Sequence, residues 1–186
     1  LKDVAPQMEH PFYTLAKKPD THVREYHSPN GKSWVRLTPS IKGHATIYDK
    51  DILIYCISKL MDAKKRGEEI SPRIQITALH YLKFTNRGNS GREYNAFVES
   101  LERIRGVTIT TNIQTGGIQQ TDVFGFIDSA SVIRKYGLDG RIISVEMKLS
   151  NWLFNAIQAN EVLTLHKDYF RLRKPIERRL YENARK

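Results

Sequence analysis

Arg92 and Asn95 stand three residues apart in the run SGREYN, and both side chains match base edges of double-stranded DNA. A guanidinium can donate two hydrogen bonds to guanine O6 and N7. A carboxamide can make a two-point pair with adenine N6 and N7. A well-made pair of this kind discriminates by roughly 1–3 kcal/mol. Helical spacing puts Ser90, Ala96, Glu99, Ser100 and Arg103 beside them. Glu99 repels phosphate but can accept from a cytosine amino group. The candidate base-reading set is therefore Ser90, Arg92, Asn95, Glu99, Ser100 and Arg103.

Other chemistries find no arrangement of residues to carry them. His10, His22, His27, His44, His80 and His166 are scattered, with no His-x-His pair and no HExxH pattern. The nine tyrosines lack the paired metal-binding histidines that a strand-nicking nucleophile needs. There is no GxxxxGK[ST] phosphate loop. Asp49 and Asp51 lie close together, but at a helix start, where capping explains them. The single Cys56 excludes an internal disulfide and a multi-cysteine zinc site. No catalytic or metal residue and no cofactor is assigned, and binding rather than enzymatic activity is expected. No apolar stretch is long enough to span a bilayer, so no membrane is expected as a partner.

Charge supports a polyanionic partner. The 186 residues carry a net charge of +10 with a pI near 9.7. From His166 to Lys186 eight Lys or Arg stand against three acids, half of the total excess. Candidate phosphate contacts are Lys83, Arg87, Arg171, Arg173, Lys174, Arg178 and Arg179. A solvated helix face is the plain alternative for that basic run. Six neutralised phosphates would give a slope of log affinity on log salt near −5.

The elements that must position these side chains follow from patterning. Residues 1–45 hold five of the seven prolines and read as an irregular N-terminal arm or packing segment, with a short strand at 33–37. Asp49 caps a helix reaching Lys65, whose Tyr55, Ile57 and Met61 either pack in a core or form a dimer surface. Ile74 and Ile76 alternate as in a strand, and Thr77 caps a helix over 78–84. Ser90, with Glu93 three residues on, has capping-box spacing for the next helix, which Gly106 ends. Its stripe of Tyr94, Phe97, Val98, Leu101 and Ile104 faces a core.

A strand over 107–113 follows, then Gly116-Gly117 and a return strand over 120–127. The uncharged tip, with Thr110, Asn112, Gln114, Thr115 and Gln119, reads as a wing that reaches base edges or sugar. A second hairpin pairs 130–135 with 141–149 around an Asp-Gly turn. Ser150 caps a short helix, 161–172 is mixed, and Pro175 opens a last helix with no stop signal. By itself the 90–105 helix could be an ordinary amphipathic surface helix. The helix-to-hairpin order behind it points to an α+β winged helix-turn-helix over 46–186, with a β-hairpin wing and additional strands and helices.

Three separated segments, HPFYTLAKKPD, TALHYLKFTNRG with SGREYNAFVESLERIRGVTITTN, and YFRLRKPIERRLYE, resemble replication initiator protein A of plasmids. The resemblance spans nearly the whole chain. It implies a winged helix that binds double-stranded plasmid origin DNA at repeated sites called iterons, with the reading helix over 90–105 and the wing over 108–121. It also implies recruitment of host replication proteins, a cytoplasmic location with plasmid DNA, and in some relatives autorepression as homodimers. The last helix is then expected to continue into a further C-terminal region. A transcriptional repressor uses the same chemistry and stays open, as, more remotely, does a DNA-nicking replication enzyme.

Overall fold

Thr46 opens the helix around which the chain folds. Its Oγ1 accepts from the Asp49 N–H at 3.2 Å, while the Asp49 carboxylate accepts from the Thr46 N–H at 2.8 Å. This reciprocal box at Thr46-Ile-Tyr-Asp49 moves the cap three residues upstream of the expected Asp49. In the computed structural model, which describes residues 1–113, 121–134 and 142–185, the elements run β1 (Lys2–Val4), α1 (Ala5–Glu9), β2 (Arg24–His27), β3 (Trp34–Thr38), α2 (Lys50–Lys65), β4 (Arg73–Thr77), α3 (Ala78–Phe84), α4 (Gly91–Gly106), β5 (Thr108–Thr111), β6 (Asp122–Phe124), β7 (Ile127–Arg134), β8 (Ile142–Leu149), α5 (Asn151–Gln158), β9 (Val162–Thr164), a 3-10 turn (Lys167–Arg171) and α6 (Pro175–Ala184). The architecture is mixed α+β.

α2 is apolar on nearly every side and is buried accordingly. Ile52, Leu53, Ile54, Tyr55, Cys56, Ile57, Leu60 and Met61 are all inside. Tyr55, Ile57 and Met61 therefore pack in the core. Cys56 behaves as a small hydrophobe, with its Sγ 3.6 Å from Met147 Sδ and its thiol pushed up to about 12 by burial.

The strands form three antiparallel sheets. β4, β8 and β7 form one in the order β4-β8-β7. β2-β3-β5-β6 form the second. β1 and β9 pair as a two-stranded ribbon, with Lys2 opposite Thr164. Alternation sets the buried face of each strand: Ile74 and Ile76 of β4, Val35 and Leu37 of β3, Val145 and Met147 of β8.

Residues 1–45 are part of this construction. Val4, Phe12, Tyr13, Val35, Leu37 and Ala45 belong to the same core cluster as α2. Contrary to expectation this stretch contains a helix, the five-residue α1, with Pro6 in its first turn. The expected return strand over 120–127 is two strands, β6 on β5 and the start of β7 on β8.

α4 buries Tyr94, Phe97, Leu101 and Ile104. At roughly 1.5–3 kcal/mol each, these four anchor it by about 6–12 kcal/mol before chain entropy is set against them. Ser90 occupies the N-cap with extended backbone, but its side chain makes no cap hydrogen bond. Gly106 is the last helical residue, and Val107 leaves the helix in extended conformation. The glycine is there for space rather than for a left-handed turn. A Cβ at 106 would lie 2.6 Å from Ser40 Cβ.

Candidate nucleic-acid interface

α3 and α4 meet at a turn through Asn86, whose φ of 55° is left-handed. With its apolar stripe against the core, α4 presents Arg92, Asn95 and Glu99 to solvent on one face, and Ser90 is exposed at its start. These four sequence-expected residues are brought together. Ser100 and Arg103 are not with them. Ser100 is buried, and its hydroxyl donates to Ala96 O at 2.9 Å. Arg103 turns inward to a two-point ion pair with buried Asp49, Nε to Oδ2 and Nη2 to Oδ1 both at 2.8 Å. Both belong to the support of the helix, not to its outer face.

The hairpin after α4, the expected wing, is tied into the sheet that holds β2 and β3. β5 pairs with β3 on one side and β6 on the other, and Thr110 is half-buried between them. Asn112 is occupied by backbone: its Oδ1 accepts from Trp34 N at 2.9 Å and its Nδ2 donates to Lys32 O at 2.7 Å. Gln114, Thr115 and Gln119 lie outside the described residues. The hairpin that shares a sheet with the helix pair is β7–β8. β8 pairs with β4, and β4 runs directly into α3. Both hairpins are legible in the sequence but their sheet partners are not, because the β4–β8 register joins residues about 70 positions apart.

The basic residues divide in the same way. Lys83, Arg171, Arg173 and Lys174 are exposed. Arg87, Arg178 and Arg179 are engaged internally. Arg87 Nη2 reaches Asp51 Oδ2 at 2.9 Å and Tyr48 O at 3.0 Å. Arg178, only 3% exposed, puts Nη1 2.6 Å from Asp51 Oδ1 and Nε 2.9 Å from Leu172 O. Its guanidinium also lies over the rings of Tyr48 and Tyr169, at 4.6 and 5.0 Å. Arg179 donates to Met8 O at 2.7 Å and Glu9 O at 3.3 Å. Burial raises the Asp51 carboxyl, and Arg178 and Arg87 pull against that rise.

Sequence reasoning took Asp49 and Asp51 for helix caps. In the structure Asp49 makes no side-chain cap to α2, and the two are the carboxylates that seat Arg103, Arg87 and Arg178. Their spacing of two, which turns the side chains to different sides of α2, was the available signal. Deeper in, Lys50 is wholly buried with Asp3 Oδ2 at 2.6 Å and Glu182 Oε1 at 3.0 Å, and Tyr169 OH donates to Glu182 at 2.6 Å. Among the described residues no group of three or more His, Cys, Asp or Glu could hold a metal ion. No described helix is long and apolar enough to cross a membrane.

Comparison with known proteins gives this arrangement relatives. Two crystal structures of RctB domains 2 and 3 share the fold. One has a TM-score of 0.61 at 14% identity, over 90% of this chain and 70% of that one. The other has 0.62 at 12% identity, over 88% and 62%. A Wigglesworthia glossinidia brevipalpis protein described as "Putative replication protein" is 38% identical over 181 residues, 96% of this chain. The chain spans 65% of that relative's length. The family model for replication initiator protein A matches residues 2–186, so the chain belongs to the replication initiator protein A family.

Proposed function

We propose that the chain is the sequence-specific, double-stranded DNA-binding part of a plasmid replication initiator, and that α2-β4-α3-α4-β7-β8 is a winged helix. In this reading α4 enters the major groove with Arg92 and Asn95 on base edges, and β7–β8 is the wing. The observation that carries it is the α4 face: Arg92, Asn95 and Glu99 exposed together on a helix whose opposite side is locked into the core. The net charge of +10 supplies the sequence-independent attraction to phosphate. Repeated origin sites as the target, recruitment of host replication proteins and autorepression as a homodimer belong to the same reading, and family membership supports them. The mode of action is binding, with no bond made or broken.

Selection of bound duplexes from a random pool at near-physiological salt tests this. Enrichment of one short motif is the expected result. Retention of DNA without enrichment would remove base reading and leave a general electrostatic binder.

A further inference from the structure

Between the α3–α4 turn and the segment leading into α6 lies a cleft of about 720 Å³, open to solvent. Tyr48, Asp51, Arg87 and Arg178 form its floor, Arg171 and Arg173 one rim, and Asn86 and Glu93 the other. We propose that this cleft is a phosphate-binding site and that its ligand is one phosphodiester of bound DNA. The proposal rests on the DNA-binding reading and adds to it a specific anchoring point beside the first turn of α4.

Charge is the first argument. Two guanidiniums, Arg87 and Arg178, share the single Asp51 carboxylate, so the floor carries an excess positive charge behind the cleft. The rim adds Arg171 and Arg173, while Glu93 is the one acid on the far side. Four arginines against two acids make the lining complementary to an anion.

Rigidity is the second. Arg178 is fixed by Asp51, by Leu172 O and by the two tyrosine rings. Tyr48 OH donates to Arg173 O, which ties the rim backbone to the floor. Among the described residues no hydrogen bond or ion pair engages the Arg173 guanidinium, and Arg171 meets Asp168 only at 3.2 Å with its side chain 75% exposed. Fixed positive charge below and the unengaged Arg173 guanidinium above suit an oxyanion arriving from solvent. The rings say which part of a nucleotide enters. The Tyr48 face is covered by Arg178, and Phe170 packs edge-on against Phe84 at 5.6 Å. A backbone phosphate fits such a lining, and a stacked base does not.

The test is the salt dependence of binding to a random-sequence 30-base-pair duplex, for wild type, R171A/R173A and K65A. Lys65 is exposed at the opposite end of α2 from Asp51. The expected result is a slope of log affinity on log salt shallower by about 0.9, one phosphate contact, in R171A/R173A, with K65A like wild type. Circular dichroism confirms that both variants are folded. An unchanged slope in R171A/R173A, or an equal loss in K65A, overturns the cleft while DNA binding itself stands. A wild type that retains no duplex overturns the underlying reading and the cleft with it.

Discussion

Arg103 of α4 and Asp49 at the start of α2 face each other through two parallel hydrogen bonds of 2.8 Å, with the carboxylate almost wholly buried and the guanidinium 23% exposed. This pair fixes α4 relative to the central helix, and hydrogen bonding to Asp49 is the main reason that the Arg103 guanidinium holds its proton more tightly than usual. Removing one member of a buried pair leaves the other charge uncompensated. R103A should therefore cost about 3 kcal/mol of stability in urea unfolding. A loss below about 0.5 kcal/mol, the usual range of a surface change, would show that the pair is not needed to seat α4.

Arg92 and Asn95 should behave in the opposite way. Each is exposed, so R92A and N95A should leave the thermal midpoint nearly unchanged. On a selected site each should weaken binding by roughly 1–3 kcal/mol, with little effect on random duplex. Competition titrations on both DNAs measure this directly. Equal losses on the two would reassign these side chains to phosphate contact.

Gly106 supplies a packing test. G106A brings a methyl group to 2.6 Å from Ser40 Cβ and should destabilise the fold by about 1–3 kcal/mol. S40G should recover most of that loss in the double variant, because the clash is between these two side chains. An additive double variant would mean that the cost arises elsewhere.

Asp3 makes stability depend on pH. It is wholly buried, and burial pushes its carboxyl from the ordinary 3.8 up to about 6, against the opposing pull of Lys50. A carboxyl with the higher pKa in the folded state binds a proton more tightly there, so it favours folding at low pH and loses that advantage as pH rises. The stability of wild type relative to D3N should fall between about pH 4 and pH 6 and level off above pH 7. Chemical unfolding of both proteins across that range checks it. A flat difference would show Asp3 ionised throughout, held by Lys50.

The legible part of this fold is the part made of local signals. Helices over 50–65, 78–84, 91–106 and 151–158 follow from apolar spacing and from Ser150, whose Oγ does accept from Leu153 N at 3.4 Å. The exposed face of α4 was legible for the same reason. The sheet that each hairpin after α4 joins was not, because the two alternate alike and only the distant partner strand, β3 or β4, distinguishes them. Nor was the inward turn of Arg103, Arg87 and Arg178. An arginine reads alike in sequence whether it meets a phosphate or a buried aspartate brought from elsewhere in the chain. α1 escaped because five residues with a proline in the first turn carry almost no periodicity.

The burial of Lys50 between Asp3 and Glu182 has a consequence for how the protein is made. One carboxylate precedes the lysine in the chain and the other follows it by 132 positions. Until α6 emerges, a nascent chain that has already collapsed around α2 holds a lysine with half its compensation and a Tyr169 hydroxyl with no acceptor at Glu182. α6 therefore works as a latch on α2: until it is seated, the buried lysine has one carboxylate partner in place of two.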